Sequence, residues 1–114
     1  MNRKFIVLVI ILISLIYLLF SLEKVSASTE DVKMEIIKQS ILYKIDPKIS
    51  LRIAKCESNF NELAKNKNSS AKGVYQFIDR TWKGYCNGNV FDYTANIECF
   101  MKLYKKYPTW WSCR

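Results

Sequence analysis

The sequence predicts a small, mainly α-helical domain, and three observations carry that prediction. Apolar residues recur at spacings of three and four in separate stretches. Each stretch opens on residues suited to capping a helix, Ser28-Thr29, Asp46 and Asp92. The residues between the second and third stretches are rich in Asn and Ser, a composition suited to turns and unsuited to a long helix.

The first element lies ahead of that domain. Arg3 and Lys4 precede an apolar run from Phe5 to Leu22, broken only by Ser14, Tyr17 and Ser21, and Val25-Ser26-Ala27 then offers small residues for cleavage. A basic start, an apolar middle and a small-residue site describe a secretory signal peptide over residues 1–27, with Ser28 as the first mature residue. The run is also long enough to be retained as an uncleaved membrane anchor. Either reading places residues 28–114 outside the cytoplasm, as a secreted or cell-envelope protein.

In the mature part, Ser28-Thr29-Glu30-Asp31 supplies hydroxyl caps and carboxylates at the positive end of a helix. Val32, Ile36, Ile37, Ile41 and Ile45 form its apolar stripe. Asp46-Pro47 ends that helix and opens the next, with Asp as cap and Pro at the first helical position. The second helix carries Ile49, Ile53 and then Cys56 or Glu57, with Phe60 in the same spacing. Residues 59–72 are expected to form a loop or a short β-hairpin. Gly73 is expected where backbone approaches a helix or a ligand closely, and Val74, Tyr75 and Phe77 are core candidates. Asp79 is expected to cap a short helix through Trp82, and Cys86-Asn87-Gly88-Asn89 to turn. Asp92 caps the last helix, whose face is Ile97, Phe100, Met101 and Tyr104 and which Pro108 stops.

Eighty-seven residues make one small domain with a modest core, for which staples matter. Cys56, Cys86, Cys99 and Cys113 all lie in it, an even count suited to two disulfides in an oxidising compartment. Three pairings are possible. Zinc is the competing use, but no close Cys-x-x-Cys spacing occurs and the chain has no histidine, so no metal and no cofactor is expected. The missing histidine also excludes Ser-His-Asp and Cys-His catalysis, so any catalysis must use carboxylates or other groups. The mature part has 15 basic and 9 acidic residues, net +6, which favours polyanions. For an exported protein these are a cell wall or membrane surface and not nucleic acid.

Among the carboxylates, Glu57 shares the apolar face of its helix. A carboxyl held against apolar neighbours resists ionisation and can stay protonated as a general acid near neutral pH. The alternative is a Glu tethered to a nearby Lys or Arg.

With Glu57-Ser58-Asn59-Phe60-Asn61 followed by Ala64, Asn66, Asn68, Gly73-Val74-Tyr75-Gln76-Phe77 and Trp82, the sequence resembles the lysozyme-like superfamily. The nearest branch is the soluble-lytic-transglycosylase-type domain. That family has an Asp-Pro-initiated helix ending in Glu-Ser, a Gly-Leu-Met-Gln-type segment and a later helix beginning with Asn-Ile. The matching residues here are Asp46-Pro47, Glu57-Ser58, Gly73-Val74-Tyr75-Gln76 and Asn96-Ile97, and the resemblance covers residues 35–104.

The resemblance implies a small lysozyme-like fold and a lytic transglycosylase acting on the β-1,4 bond between N-acetylmuramic acid and N-acetylglucosamine of peptidoglycan. Glu57 would be the catalytic acid and base, Ser58 and Gln76 would contact substrate or position it, and Tyr75 would line the cleft. A muramidase of the same fold would need a second carboxylate. Animal-type lysozymes carry theirs just before the matching glycine, where this chain has Ala71 and Lys72. Glu62, Asp79 and Asp92 are the remaining candidates, Asp79 and Asp92 as helix caps and Glu62 as a solvent-facing side chain. A noncatalytic wall-binding protein is the third alternative. Trp82, Trp110 and Trp111 could stack on sugar rings but suit a core better in so small a domain. The tail from Tyr107 lacks the family's Tyr-Asn motif and has Trp110-Trp111-Ser112-Cys113. Lysozyme-like packing of that tail against the Glu57 helix implies Cys56 with Cys113 and Cys86 with Cys99. The expected partner is the glycan strand, with the membrane involved only if the N-terminal segment is uncleaved, and the expected state is a monomer.

Overall fold

The structure is a computed structural model that describes residues 2–22 and 27–113. Its described residues form five α-helices and a 3-10 turn: α1 Arg3–Leu22, α2 Thr29–Tyr43, α3 Pro47–Ser58, α4 Asp79–Tyr85, α5 Tyr93–Lys106, and the turn Pro108–Trp110. The expected mainly helical, lysozyme-like class is therefore the fold observed.

α1 is long and apolar enough over Arg3–Ser21 to cross a membrane by length and composition, and a signal sequence passes the same test. Val25 and Ser26, which carry the expected cleavage signal, lie outside the described residues.

α2 starts where its chemistry directs. The Ser28 hydroxyl accepts the Asp31 N–H at 3.2 Å while the Asp31 carboxylate accepts the Ser28 N–H at 3.1 Å, a reciprocal cap. Its buried face is Val32, Ile36, Gln39 and Ser40, and Ile41 of the expected stripe is 66% exposed. Its end also differs from expectation. Lys44 turns left-handed (φ 57°), and the N–H groups of Lys44 and Ile45 close onto the Ile41 and Ser40 carbonyls, so the helix stops before Pro47 can act. That turn drops Ile45 into the core. The buried face runs through Val32, Ile36 and Ser40 at steps of four, and Ile41, one residue further round the helix, is left outside.

α3 opens on Asp46, whose carboxylate accepts the Lys48 N–H at 2.9 Å, with Pro47 at the first helical position. It buries Ser50, Ile53 and Ala54, and α2 packs against both it and α5. α3 ends at Ser58 because Asn59 and Phe60 both adopt left-handed backbone (φ 52° and 62°). Phe60 is buried, but from the loop and not from the helix.

α5 is capped by Asp92, which accepts the Thr94 N–H at 3.0 Å. Ile97, Phe100 and Met101 are fully buried, as the spacing predicts, and Tyr104 packs at the edge of the core. The Phe100 ring lies flat on Tyr75, with centroids 3.6 Å apart, and meets Trp111 edge-on at 4.9 Å.

The residues between α3 and α4 form a loop with two isolated antiparallel bridges, Lys65 with Lys72 and Lys72 with Phe77. α4 runs three residues further than expected, and Ile78, not Asp79, occupies its cap position. Asp79 is the first helical residue and its carboxylate pairs with Lys72 Nζ at 2.9 Å. A charge partner has taken the oxygen that the sequence reading assigned to capping. Disulfides join Cys56 to Cys113 and Cys86 to Cys99, the pairing the resemblance implied.

Candidate active site

α3 delivers Glu57 in its last turn, on the face that buries Ser50, Ile53 and Ala54. The carboxyl is half-buried, and it makes no hydrogen bond or ion pair among the described residues. Burial pushes its pKa up from the usual carboxylate range. The tethered alternative, a Glu held by Lys or Arg, is not what the geometry contains.

Glu57 opens onto a cleft of about 290 Å³. Gln76 and Phe77 come from the turn after Gly73, Ile78 and Thr81 from the start of α4, and Trp110 and Trp111 from the tail. The cleft thus lies where three chain segments meet the end of α3. Cys113 ties the tail to Cys56, the residue immediately before Glu57.

The inner wall is set by Gly73. Its φ is +79°, and a Cβ there would lie 2.3 Å from Asn96 Nδ2 and 2.6 Å from the Val90 carbonyl oxygen. Only glycine combines that backbone with that approach. Asn96 is fully buried on α5; its Oδ1 accepts the Tyr75 N–H at 2.9 Å and its Nδ2 donates to the Val90 carbonyl at 2.9 Å. In the sequence Asn96 stands out only as half of the family's Asn-Ile pair. A polar residue in the first turn of an otherwise apolar helix face was the available signal.

Gln76 also has left-handed backbone (φ 53°), and its side-chain amide donates to the Gly73 carbonyl at 2.9 Å and the Ala64 carbonyl at 3.3 Å. Ser58 Oγ lies 2.8 Å from the Val74 carbonyl and 3.3 Å from that of Ala54, and its single proton favours the nearer acceptor. This bond fastens the end of α3 to the turn.

Of the expected site residues, Glu57 and Gln76 line the cleft together. Ser58 stands behind the wall, not in it. Tyr75 does not line the cleft: it is fully buried, its ring stacks on Phe100, and its hydroxyl donates to the Ser50 carbonyl at 2.9 Å. Gln76, with its left-handed backbone, lines the cleft, while Tyr75 just before it faces the core. The tryptophans divide similarly. Trp111 is buried and donates Nε1–H to the Tyr75 carbonyl at 3.1 Å, Trp82 packs at the core edge, and Trp110 is 45% exposed on the cleft.

The other acids are each engaged. Glu62 Oε1 accepts the Ala27 N–H and is half-buried, not solvent-facing as expected. Asp79 pairs with Lys72, and Asp92 caps α5. Among the described residues no group of three or more acidic or cysteine side chains is placed to hold a metal ion.

Residues 34–113 match the profile of the Transglycosylase SLT domain. The chain belongs to that family. This transglycosylase SLT domain therefore carries the lytic transglycosylase activity of its family, cleavage of peptidoglycan glycan strands as a glycan lyase. No individual curated protein and no solved structure gives a significant match. The match reaches Cys113, so the tryptophan-rich tail lies within the SLT domain.

Proposed function

We propose that Glu57 is the single catalytic acid and base, acting on the β-1,4 bond between N-acetylmuramic acid and N-acetylglucosamine. Protonated Glu57 donates to the bridging oxygen as the bond from that oxygen to the muramyl anomeric carbon breaks. The resulting carboxylate takes the proton of the muramyl 6-hydroxyl as its oxygen closes onto the anomeric carbon. Glu57 ends protonated, the product ends in 1,6-anhydromuramic acid, and no water is consumed.

The observation that carries this reading is a half-buried carboxyl in a cleft with no charge partner and a raised pKa. Burial thereby favours the protonated form, the one that must donate. Gln76, fixed by two backbone carbonyls, faces the same cleft and is assigned to substrate contact. Ser58 is assigned to positioning, since its bond to Val74 holds the helix end against the turn. The lyase reading is favoured over a muramidase because Glu62, Asp79 and Asp92 are bound elsewhere and Lys72 stands near the position of the lysozyme acid.

The protein works as a monomer outside the cytoplasm, secreted or in the cell envelope. α1 serves as a signal peptide removed after Ala27, or as an anchor if it is kept. The disulfides and the apolar α1 support export.

Mass spectrometry of digested peptidoglycan tests the chemistry. Anhydromuramyl ends are expected. Reducing ends would identify a muramidase, and absence of cleavage a wall-binding protein. Glu57→Gln is expected to lower turnover by at least about a thousandfold with the fold intact; retained activity would remove Glu57 from the mechanism.

A further inference from the structure

Trp110 is the aromatic residue of the cleft whose exposure the core does not explain. Trp111 is 6% exposed with its N–H bonded to Tyr75, and the Trp82 N–H donates to the Gly88 carbonyl at 2.9 Å. Trp110 is 45% exposed, and its indole N–H has no hydrogen-bond partner among the described residues. The ring is nevertheless held. Tyr107 stacks parallel to it with centroids 4.2 Å apart, and Tyr85 meets it at a 73° angle at 5.6 Å. An exposed side chain would ordinarily lose rotamer freedom on binding, and here neighbours have already restricted it.

Thr81 supplies a second group. It lines the same cleft from α4, is half-buried, and its hydroxyl has no hydrogen-bond partner among the described residues. A clamped indole with a free N–H beside a free hydroxyl suits a ligand with one apolar face and polar edges. An N-acetylhexosamine ring has that character. Its axial C–H groups make one face apolar, and its hydroxyl and acetamido groups surround it.

We propose that Trp110 and Thr81 form an N-acetylhexosamine subsite beside Glu57, with the indole stacked on the sugar face and the Thr81 hydroxyl bonded to its polar edge. The proposal rests on the cleft being the place of glycan cleavage, and adds which residues grip the strand next to the scissile bond. Because Cys113 tethers the tail to Cys56, the subsite is fixed relative to the acid.

The test is steady-state cleavage of peptidoglycan by the oxidised protein, with binding of an N-acetylglucosamine tetramer measured separately in Glu57→Gln protein. Trp110→Leu keeps apolar volume but removes the aromatic face. It is expected to raise KM about tenfold with kcat within about twofold, and to weaken tetramer binding by a similar factor. Trp110→Phe should restore most of the loss, and Thr81→Val should raise KM about threefold. Melting curves establish that each variant is folded. Unchanged KM in Trp110→Leu, or a fall in kcat with KM unaltered, would overturn the subsite while leaving the function standing. A wild-type protein that neither releases muropeptides nor binds the tetramer would overturn both.

Discussion

The two walls of the cleft are held by different physics. The inner wall, the turn from Gly73 to Phe77, is fixed by short polar bonds to buried partners: Asn96 to the Tyr75 N–H, Ser58 to the Val74 carbonyl, Gln76 to the carbonyls of Ala64 and Gly73. The outer wall, from Tyr107 to Cys113, is fixed mainly by packed rings and one covalent bond, Cys56–Cys113, with one polar bond, from the Trp111 indole N–H to the Tyr75 carbonyl. A buried polar group left without its partner is costly, so the inner wall is part of the fold itself. The outer wall joins the core through Trp111, while Trp110 and the chain beyond Trp111 depend on ring contacts and the disulfide. One side of the site is thus set by folding alone, and the other also by a bond that requires an oxidising compartment.

Gly73→Ala attacks the inner wall and has the largest expected effect on stability. The new Cβ would press on Asn96 and on the Val90 carbonyl, in a backbone region unfavourable for any side chain. Strain and overpacking together cost about 3–5 kcal/mol. For a domain of this size the melting temperature should fall by more than about 10 °C. Thermal melts followed by circular dichroism check this. A loss below about 1 kcal/mol would mean that the turn can move away from α5 without unfolding.

Removing the outer staple comes next. Cys56 and Cys113 are 57 residues apart, and a loop of that length gives a chain-entropy stabilisation of about 4 kcal/mol. The realised loss in Cys56→Ser/Cys113→Ser should be smaller, about 2–3 kcal/mol, since the chain beyond Trp111 carries little of the core. Activity should fall more than stability suggests, at least about tenfold, as Trp110 and Trp111 lose their fixed position beside Glu57. Helical circular dichroism should persist while tryptophan emission moves to the red. A double variant with full activity would show that ring stacking alone holds the wall.

The fold is legible in the sequence where one local rule decides and obscure where two compete. Ser28 with Asp31, Asp46 with Pro47, and Asp92 are caps defined by neighbours within three residues, and each forms as the rule requires. The Ile97, Phe100 and Met101 face is helical spacing alone, and all three are buried. Asp79 was misread because Lys72, seven residues away, takes its carboxylate, and nothing in the local spacing ranks an ion pair above a cap. Ile41 stays outside because Ser40, four residues after Ile36, takes the buried position, and its hydroxyl can go there by bonding the Ile36 carbonyl. At the site, motif spacing brought Glu57 and Gln76 together, but it could not say which way each turn residue faces. Tyr75 went to the core, as the residue pattern suggested and against the cleft-lining role the resemblance implied, and Trp110 went to the cleft, where the core was the better-suited place.

The smallest effect probes what the two walls do jointly to the carboxyl between them. Burial raises the Glu57 pKa in the folded protein, so the folded state binds more protons than the unfolded state between the ordinary glutamate pKa of 4.5 and the raised value. Unfolding free energy therefore decreases as pH climbs through that window and is level on either side of it. Below it both states are protonated, and above it both are ionised with the folded one bearing the cost of a desolvated charge. Glu57→Gln removes that cost. The variant should match wild type at pH 4 and be more stable at pH 8, by about 1 kcal/mol or less given that the group is only half-buried. Denaturant melts at the two pH values measure it. The same substitution in Cys56→Ser/Cys113→Ser protein should give a smaller gain, because releasing Trp110 and Trp111 lets water reach the carboxyl. An equal gain with and without the disulfide would locate the desolvation in the inner wall alone, and the acid would then be tuned by the fold and not by the staple.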